Sequence, residues 1–302
     1  MMKTCWNRTR YALMAFMLLG LSGCDWVLFN SKGAVGIAQR DLIIICVALM
    51  LIVVIPAIVM SIVFAWRFRA SNHKAKYTPN WTHSTKIEVV VWGIPFIIVC
   101  ILAFIVWKST HELDPYKPLE SDVAPLNVEV IATDWKWVFV YPDQGIATVN
   151  QLKFPANRPL AFSITSNSTM NTFFIPQLGG QIYAMAGMRT QLHLIADETG
   201  EFRGMSGNYS GNGFSQMHFM ATALTDAEFD AWVDEVHESD KTLDMTSFAQ
   251  LAQPTRHYYP ITYFGSVEPQ LFKKVIDQFI GVGANTTPAP ALDAEPSNTT
   301  KE

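Results

Sequence analysis

Two long stretches of this chain carry no charge at all. Leu42 to Trp66 runs 25 residues without an acid or a base, and Val89 to Trp107 runs 19. At ~1.5 Å rise per residue they make helices of ~37 Å and ~28 Å, set against a hydrocarbon core of ~30 Å. The longer one fits with tilt. A core helix of a soluble protein seldom stays uncharged over that length, so both read as transmembrane spans. Trp66, Trp92 and Trp107 suit the membrane interface or partner contacts. Pro56 and Pro95 are expected to kink or loosen their helices, which membrane neighbours tolerate.

Charge sets the orientation of this hairpin. The connection between the spans holds Arg67, Arg69, Lys74, Lys76 and Lys86, with no acid before Glu88. Such a loop belongs on the cytoplasmic side, which puts both outer flanks outside. The N-terminal end agrees. Lys3, Arg8 and Arg10 precede an uncharged run from Tyr11 to Leu21 that is too short to span. Residues 1–23 therefore read as a signal peptide. Leu21-Ser22-Gly23-Cys24 resembles a bacterial lipobox, in which the Cys24 thiol is diacylated and becomes the mature N-terminus. The expected topology is a hairpin over 24–110, a lipid-anchored N-terminus, and a C-terminal region in the periplasm of a bacterial inner membrane.

Composition narrows the rest. Hydrophobic residues make up 50% and charged residues 16% of the chain, with a formal net charge of −4. These values exclude a collagen-like or disordered chain and argue against nucleic-acid binding, which needs a basic surplus. From Leu126 the pattern turns to short strands: Leu126–Thr133, Pro159–Thr165, Gln191–Ala196 and Gln216–Ala223, punctuated by Gly and Pro. Residues 124–224 read as an all-β domain. Thr225 to Glu228 then forms a capping box ahead of Phe229, Trp232, Val233 and Val236 at helical spacing. A last helix is expected over about 269–280, with Gly281 as its stop. Residues 225–281 thus read as a helical, aromatic-rich extension, and 282–302 as a disordered tail.

The four cysteines are Cys5, Cys24, Cys46 and Cys100. The first two lie in the signal segment. The other two lie in the spans, where they read as small packing residues. The β domain has none, so it holds no disulfide, thiolate ligand or cysteine nucleophile.

The order of these parts resembles subunit II of the haem–copper terminal oxidases, over nearly the whole chain. Asp134-Trp135-Lys136-Trp137 with Tyr141-Pro142 is similar to that family's aromatic segment. The stretch Asn171 to Gly179 resembles its first copper-ligand loop, and Phe202 to Met217 its second. Tyr259 to Gly281 resembles the extension of its quinol-oxidising members. The resemblance implies a two-helix transmembrane hairpin plus an all-β cupredoxin-like sandwich with C-terminal helices.

In the cytochrome c-oxidising branch, two Cys, two His, a Met and a Glu carbonyl hold a dinuclear copper centre. Here the matching positions are Ser206 and Ser210 for the thiolates, Asn171 and Phe214 for the imidazoles, and Asn208 for the Glu. Met217 alone is kept. Hydroxyls stay protonated at neutral pH and are poor ligands for a soft metal, so no metal is expected in this chain. The pattern matches the bo-type ubiquinol oxidases.

That match implies a structural and assembly subunit of a proton-pumping oxidase that oxidises ubiquinol and reduces oxygen to water. Haems and copper belong to a polytopic subunit I. The implied partners are that subunit, further small membrane subunits and membrane lipids, with no cytochrome c and no nucleic acid. The alternatives are the electron-accepting subunit of a cytochrome c oxidase and a membrane-anchored periplasmic binding lipoprotein. Two spans beside a lipid exceed what an anchor requires.

Other candidates are weaker. His193 and His218 are too few for a zinc or copper site. Trp135 and Trp137 could relay electrons, but packing is the better reading without a metal beside them. Ser206 and Ser210 lack the G-x-S-x-G elbow of a hydrolase. Glu88 opens the second span, with Lys86 as its expected partner. It reads either as an acid that favours the helix dipole or, as the resemblance implies, as a proton-pathway entry near subunit I.

Overall fold

The computed structural model describes residues 26–280 apart from 77, 79 and 256. The signal segment 1–23, Cys24, Gly281 and the 282–302 tail lie outside these residues.

Among the described residues two long helices come first, α1 (Ala34–Arg67) and α2 (Thr85–Glu112). They contain the uncharged runs and extend past them, and they continue through Pro56 and Pro95. Beyond its contact with the β domain, α1 presents Ile44, Val54, Phe64 and Trp66 to its surroundings. α2 does the same with Trp92, Phe96, Phe104 and Trp107. Helices apolar on every side need lipid or other helices around them. α1 starts at Ala34 rather than Leu42 because its first turns lean on the β domain. There the Gly36 N–H donates to the Leu178 carbonyl at 3.0 Å.

The β domain is a two-sheet sandwich. One sheet holds β1 (Leu126–Thr133), β2 (Lys136–Tyr141), β3 (Ile146–Val149), β5 (Leu160–Ser166), β8 (Thr190–Leu194) and β12 (Thr262–Phe264). Their order is β12-β3-β2-β1-β5-β8. The other holds β4 (Gln151–Pro155), β6 (Asn171–Phe174), β7 (Ile182–Ala184), β9 (Gly200–Ser206) and β10 (His218–Leu224), in the order β4-β10-β9-β6-β7. β1 runs parallel to β5 and β4 parallel to β10, while the remaining pairs within these sheets are antiparallel. A small parallel pair, β11 (Thr242–Leu243) and β13 (Ser266–Val267), lies apart.

Strand alternation explains the two cores. Trp137, Phe139 and Tyr141 of β2 point between the sheets. Trp137 meets Phe173 and Phe219 edge-on at 5.4 and 5.7 Å, and those two rings stack at 5.2 Å. Val138 and Val140 point the other way, into a second core covered by C-terminal helices. A fully buried Phe stabilises by roughly 1.5–3 kcal/mol, so this aromatic cluster is the main fastening of the two sheets.

Three short helices follow among the described residues: α3 (Asp226–His237), α4 (Met245–Leu251) and α5 (Leu271–Asp277). The Thr225–Glu228 capping box is formed, and α3 buries Phe229, Trp232 and Val236. α4 carries its own box, Asp244 with Ser247. α5 is shorter than expected. Gln270 stands ahead of it in the left-handed region at φ 60°, which leaves Pro269 outside the helix.

The sandwich is fastened to the start of α1. The Lys32 N–H donates to the Gln177 carbonyl at 2.8 Å, and its own carbonyl accepts from the Asp197 N–H at 2.9 Å. Lys32 also pairs with Glu198 at 2.5 Å. Gly33 permits the approach, since a Cβ there would lie 2.1 Å from the Ile195 carbonyl oxygen.

Candidate functional site

The positions matched to copper ligands gather at one end of the five-stranded sheet. Asn171 opens β6 and Ser206 closes β9, and these strands pair with Phe173 opposite Ser206. Asn171 and Ser206 are both buried. The Ser206 hydroxyl lies 3.1 Å from Asn171 Oδ1 and 3.3 Å from the Asn208 carbonyl. Asn171 Nδ2 donates to the Thr169 carbonyl at 2.9 Å, and Asn208 Nδ2 donates to the Met170 carbonyl at 3.0 Å. At three of the positions where the resemblance puts metal ligands, Asn171, Ser206 and Asn208, this chain forms a hydrogen-bonded network of neutral polar groups.

The loop from Gly207 to Met217 completes this end. Ser210 is gripped by its carbonyl, which accepts from Trp135 Nε1–H at 3.1 Å. Its hydroxyl is buried with no partner among the described residues. Phe214 sits in a single 3₁₀ turn and meets Tyr209 edge-on at 5.6 Å. Met217 is buried in the inter-sheet core, and its carbonyl accepts from the Ser206 N–H at 3.2 Å. Trp135 itself stands at φ 63°, at the turn between β1 and β2. Its ring lies flat on the loop. A Cβ on Gly213 would be 2.3 Å from the ring, so only glycine fits there.

This donor set does not fit a dinuclear copper centre. It offers two amides, two hydroxyls, a phenyl ring and one thioether. None of them becomes an anion at neutral pH, and soft copper needs thiolate or imidazole. Among the described residues, no group of three or more His, Cys, Asp and Glu side chains forms a metal cluster anywhere.

The two histidines are not brought together. His193 lies on β8 and His218 on β10, in different sheets. His193 Nδ1 is 3.0 Å from the Pro115 carbonyl. His218 stacks on Tyr258 at 4.8 Å, and burial, with Arg203 adding to it, holds its basicity below the ordinary histidine range. Trp137 is fully buried in the aromatic core. Glu88 lies in the first turn of α2, far along the chain from these loops. Its partner is His83 rather than Lys86: His83 Nδ1 is 2.5 Å from Glu88 Oε1. Lys86, two residues before Glu88, does not lie one turn away from it on the helix.

Two buried residues that the sequence reading left without a role hold the C-terminal extension. Lys136 is fully buried on the same face of β2 as Val138 and Val140. Its Nζ donates to the Gln253 carbonyl at 2.7 Å and the Asp134 carbonyl at 3.2 Å, and lies 5.4 Å from the centre of the Tyr259 ring. Asn150, at φ 57°, accepts from the Trp137 N–H at 2.9 Å and donates to the Tyr259 carbonyl at 2.8 Å. The signal was available. A lysine in phase with two valines along a strand shares their burial.

The family model for the COX Aromatic Rich Motif matches residues 237–283. The chain is 54% identical to cytochrome bo(3) ubiquinol oxidase subunit 2 of Pseudomonas putida, over 90% of this chain and 87% of that protein. It is 51% identical to ubiquinol oxidase subunit 2 of Acetobacter aceti, over 86% of this chain and 84% of that one. Among solved structures, the periplasmic domain of subunit II of cytochrome oxidase from Bradyrhizobium japonicum aligns at 22% identity and a TM-score of 0.37. That alignment covers 39% of this chain and 96% of that domain. At such identity to the first two proteins over most of their length, this chain belongs to the family of ubiquinol oxidase subunit 2.

Proposed function

We propose that this chain is the structural and assembly subunit of a proton-pumping terminal oxidase that oxidises ubiquinol and reduces oxygen to water. In this reading it carries no cofactor, and haems and copper reside in a polytopic subunit I. The relatives named as ubiquinol oxidase subunits support the substrate. The observation that carries the structural role is the Asn171–Ser206–Asn208 network, neutral and hydrogen-bonded where the copper-bearing branch has its ligands. A domain without a metal receives no electrons from a soluble carrier. Quinol delivers them within the bilayer, so no cytochrome c docks on the sandwich.

The same proposal places the sandwich in the periplasm of a bacterial inner membrane, with Cys24 lipidated. The basic loop between the spans and the lipobox-like Leu21–Cys24 support that side. Glu88, in the first turn of α2, is in this proposal either a helix-end acid or the proton entry into subunit I, and the turnover of its variants decides between the two.

Purification through a tag on this chain tests the proposal. The expected preparation contains a larger haem-bearing membrane subunit and consumes oxygen with ubiquinol. A preparation that oxidises reduced cytochrome c and leaves ubiquinol untouched would overturn it.

A further inference from the structure

Just ahead of the fastening at Lys32 the chain makes one isolated helical turn. The Phe29 N–H donates to the Trp26 carbonyl at 2.8 Å, and the Asn30 N–H donates to the same carbonyl at 3.1 Å. Ser31 Oγ closes the end by donating to the Leu28 carbonyl at 2.9 Å. All four residues of this turn are large and apolar, and all are exposed: Trp26 60%, Val27 50%, Leu28 37% and Phe29 38%. The Trp26 and Phe29 rings lie 5.3 Å apart. A polar sequence would close such a turn equally well, so its apolar character calls for an occupant.

We propose that the Trp26–Phe29 turn is an interfacial membrane anchor, seated among lipid headgroups beside the outer end of α1. Three observations favour lipid over a protein partner. The first is shape. Consecutive residues of a helical turn point about 100° apart, so four of them face every side. A protein surface would cover one stripe, whereas the interface surrounds the turn.

The second is composition. Tryptophan and its apolar neighbours suit the level where headgroups meet acyl chains. The third is reach. Lys32 is pinned to the sandwich, and the uncharged run begins only at Leu42. From Ala34 to Leu42 the helix rises ~12 Å, so the pin stands roughly that far above the hydrocarbon. The turn lies three to six residues before the pin. At no more than ~3.3 Å per residue Phe29 stands up to ~10 Å from the pin, and the helical turn adds ~1.5 Å per residue, a reach of ~10–15 Å that is comparable with the height of the pin and brings the turn to the headgroups. Arg40 and Asp41, paired at 2.8 Å on α1, mark the polar level between.

The inference rests on the membrane placement proposed above but not on lipidation of Cys24. The two are separated by measuring both a lipidated chain and one made as Cys24→Ala behind an ordinary cleavable leader. The experiment uses the purified complex in lipid nanodiscs, with Cys46 and Cys100 replaced by Ala. A spin label is placed at Leu28→Cys, and at Val27→Cys as a second site in case one label disturbs the turn. Collision with oxygen and with a water-soluble nickel chelate reads depth, and a label at Glu235→Cys on the exposed side of α3 gives the aqueous reference.

The expected result is an oxygen-to-nickel ratio severalfold above that reference, in both the lipidated and the lipid-free chain. Nickel access equal to the reference would overturn the proposal in favour of water. Exclusion of both reagents would overturn it in favour of a protein partner. A high ratio in the lipidated chain alone would show that the lipid, and not the turn, is the anchor. Ubiquinol oxidation by the same nanodiscs reports separately on the proposed function.

Discussion

Lys136 offers the sharpest quantitative test of the fold. It is a fully buried base whose nearest partners are two carbonyls and an aromatic ring. Burial pushes the ammonium down to about 8, with the charge of Asp134 opposing that shift. In the unfolded chain a lysine titrates near 10.4. Between these values the unfolded state binds the extra proton, so stability rises with pH across that window. Below about pH 8 both states are charged, and the folded one bears the whole burial cost. The difference of ~2.4 pH units corresponds to ~3 kcal/mol.

Lys136→Met keeps most of the apolar stem and removes the charge. It also leaves the Gln253 and Asp134 carbonyls without their donor, at about 1–3 kcal/mol each when buried. At pH 7 the two effects oppose each other. Near pH 10.4 the wild-type lysine is neutral, its burial cost is gone, and the variant shows only the loss. The advantage of wild type over Lys136→Met should therefore grow by ~3 kcal/mol from pH 7.5 to pH 10.4. Urea unfolding of the full chain in detergent, followed by near-ultraviolet circular dichroism, measures it at each pH. Parallel pH profiles for the two proteins would refute the buried-charge argument.

Gly213→Val should drive the Trp135 ring off its loop, because a Cβ there lies 2.3 Å from it. A loss of about 1–3 kcal/mol and an altered tryptophan signal are expected, and an unchanged unfolding midpoint would discard that contact. Elemental analysis of the washed chain should find copper below about one-tenth equivalent, for want of thiolate and imidazole donors; stoichiometric copper with an intense purple colour would contradict the degenerate-site reading. Mass spectrometry of the mature chain should show an acylated Cys24, and a free N-terminus elsewhere would end the lipidation proposal.

How legible these features were depended on how many faces of each element are buried. β1, β5, β8 and β10 were recognisable in the sequence, and they formed within two residues of the expected limits. β2 was not, because all six of its residues are buried and no polar face breaks the run. The spans were plain from charge alone. Their extension to Ala34 was hidden, since it depends on Gly33 and Gly36 meeting backbone from loops far along the chain. The positions matched to ligands came from resemblance alone, and the structure adds that Asn171, Ser206 and Asn208 lie together and hydrogen-bond. Nothing local in Asn171 announces that its amide accepts from Ser206, because that bond crosses 35 positions. The role of Lys136 needed the extension to be in place, although its phase with Val138 and Val140 marked it as buried.

Glu88 separates a structural from a catalytic reading of the second span. It is the acid in the first turn of α2, where the N-cap Ser84 makes no side-chain bond. Its N–H donates to the Ser84 carbonyl at 3.0 Å, and its carboxylate meets His83 at 2.5 Å. An acid at this position favours the helix dipole by about 0.3–1 kcal/mol when exposed, and this side chain is about half exposed. If that were its whole role, Glu88→Ala would lower helix stability within that range and leave turnover intact. Proton collection predicts another outcome. Glu88→Ala should then slow quinol oxidation at normal assembly and haem content, while Glu88→Asp keeps most of the rate because it keeps the carboxylate. His83→Ala sharpens the comparison. It removes the partner but leaves the proton-carrying group, so it should cost less than Glu88→Ala if the carboxylate is the entry. An Ala variant at Glu88 with unchanged turnover would return this residue to a simple helix-end role.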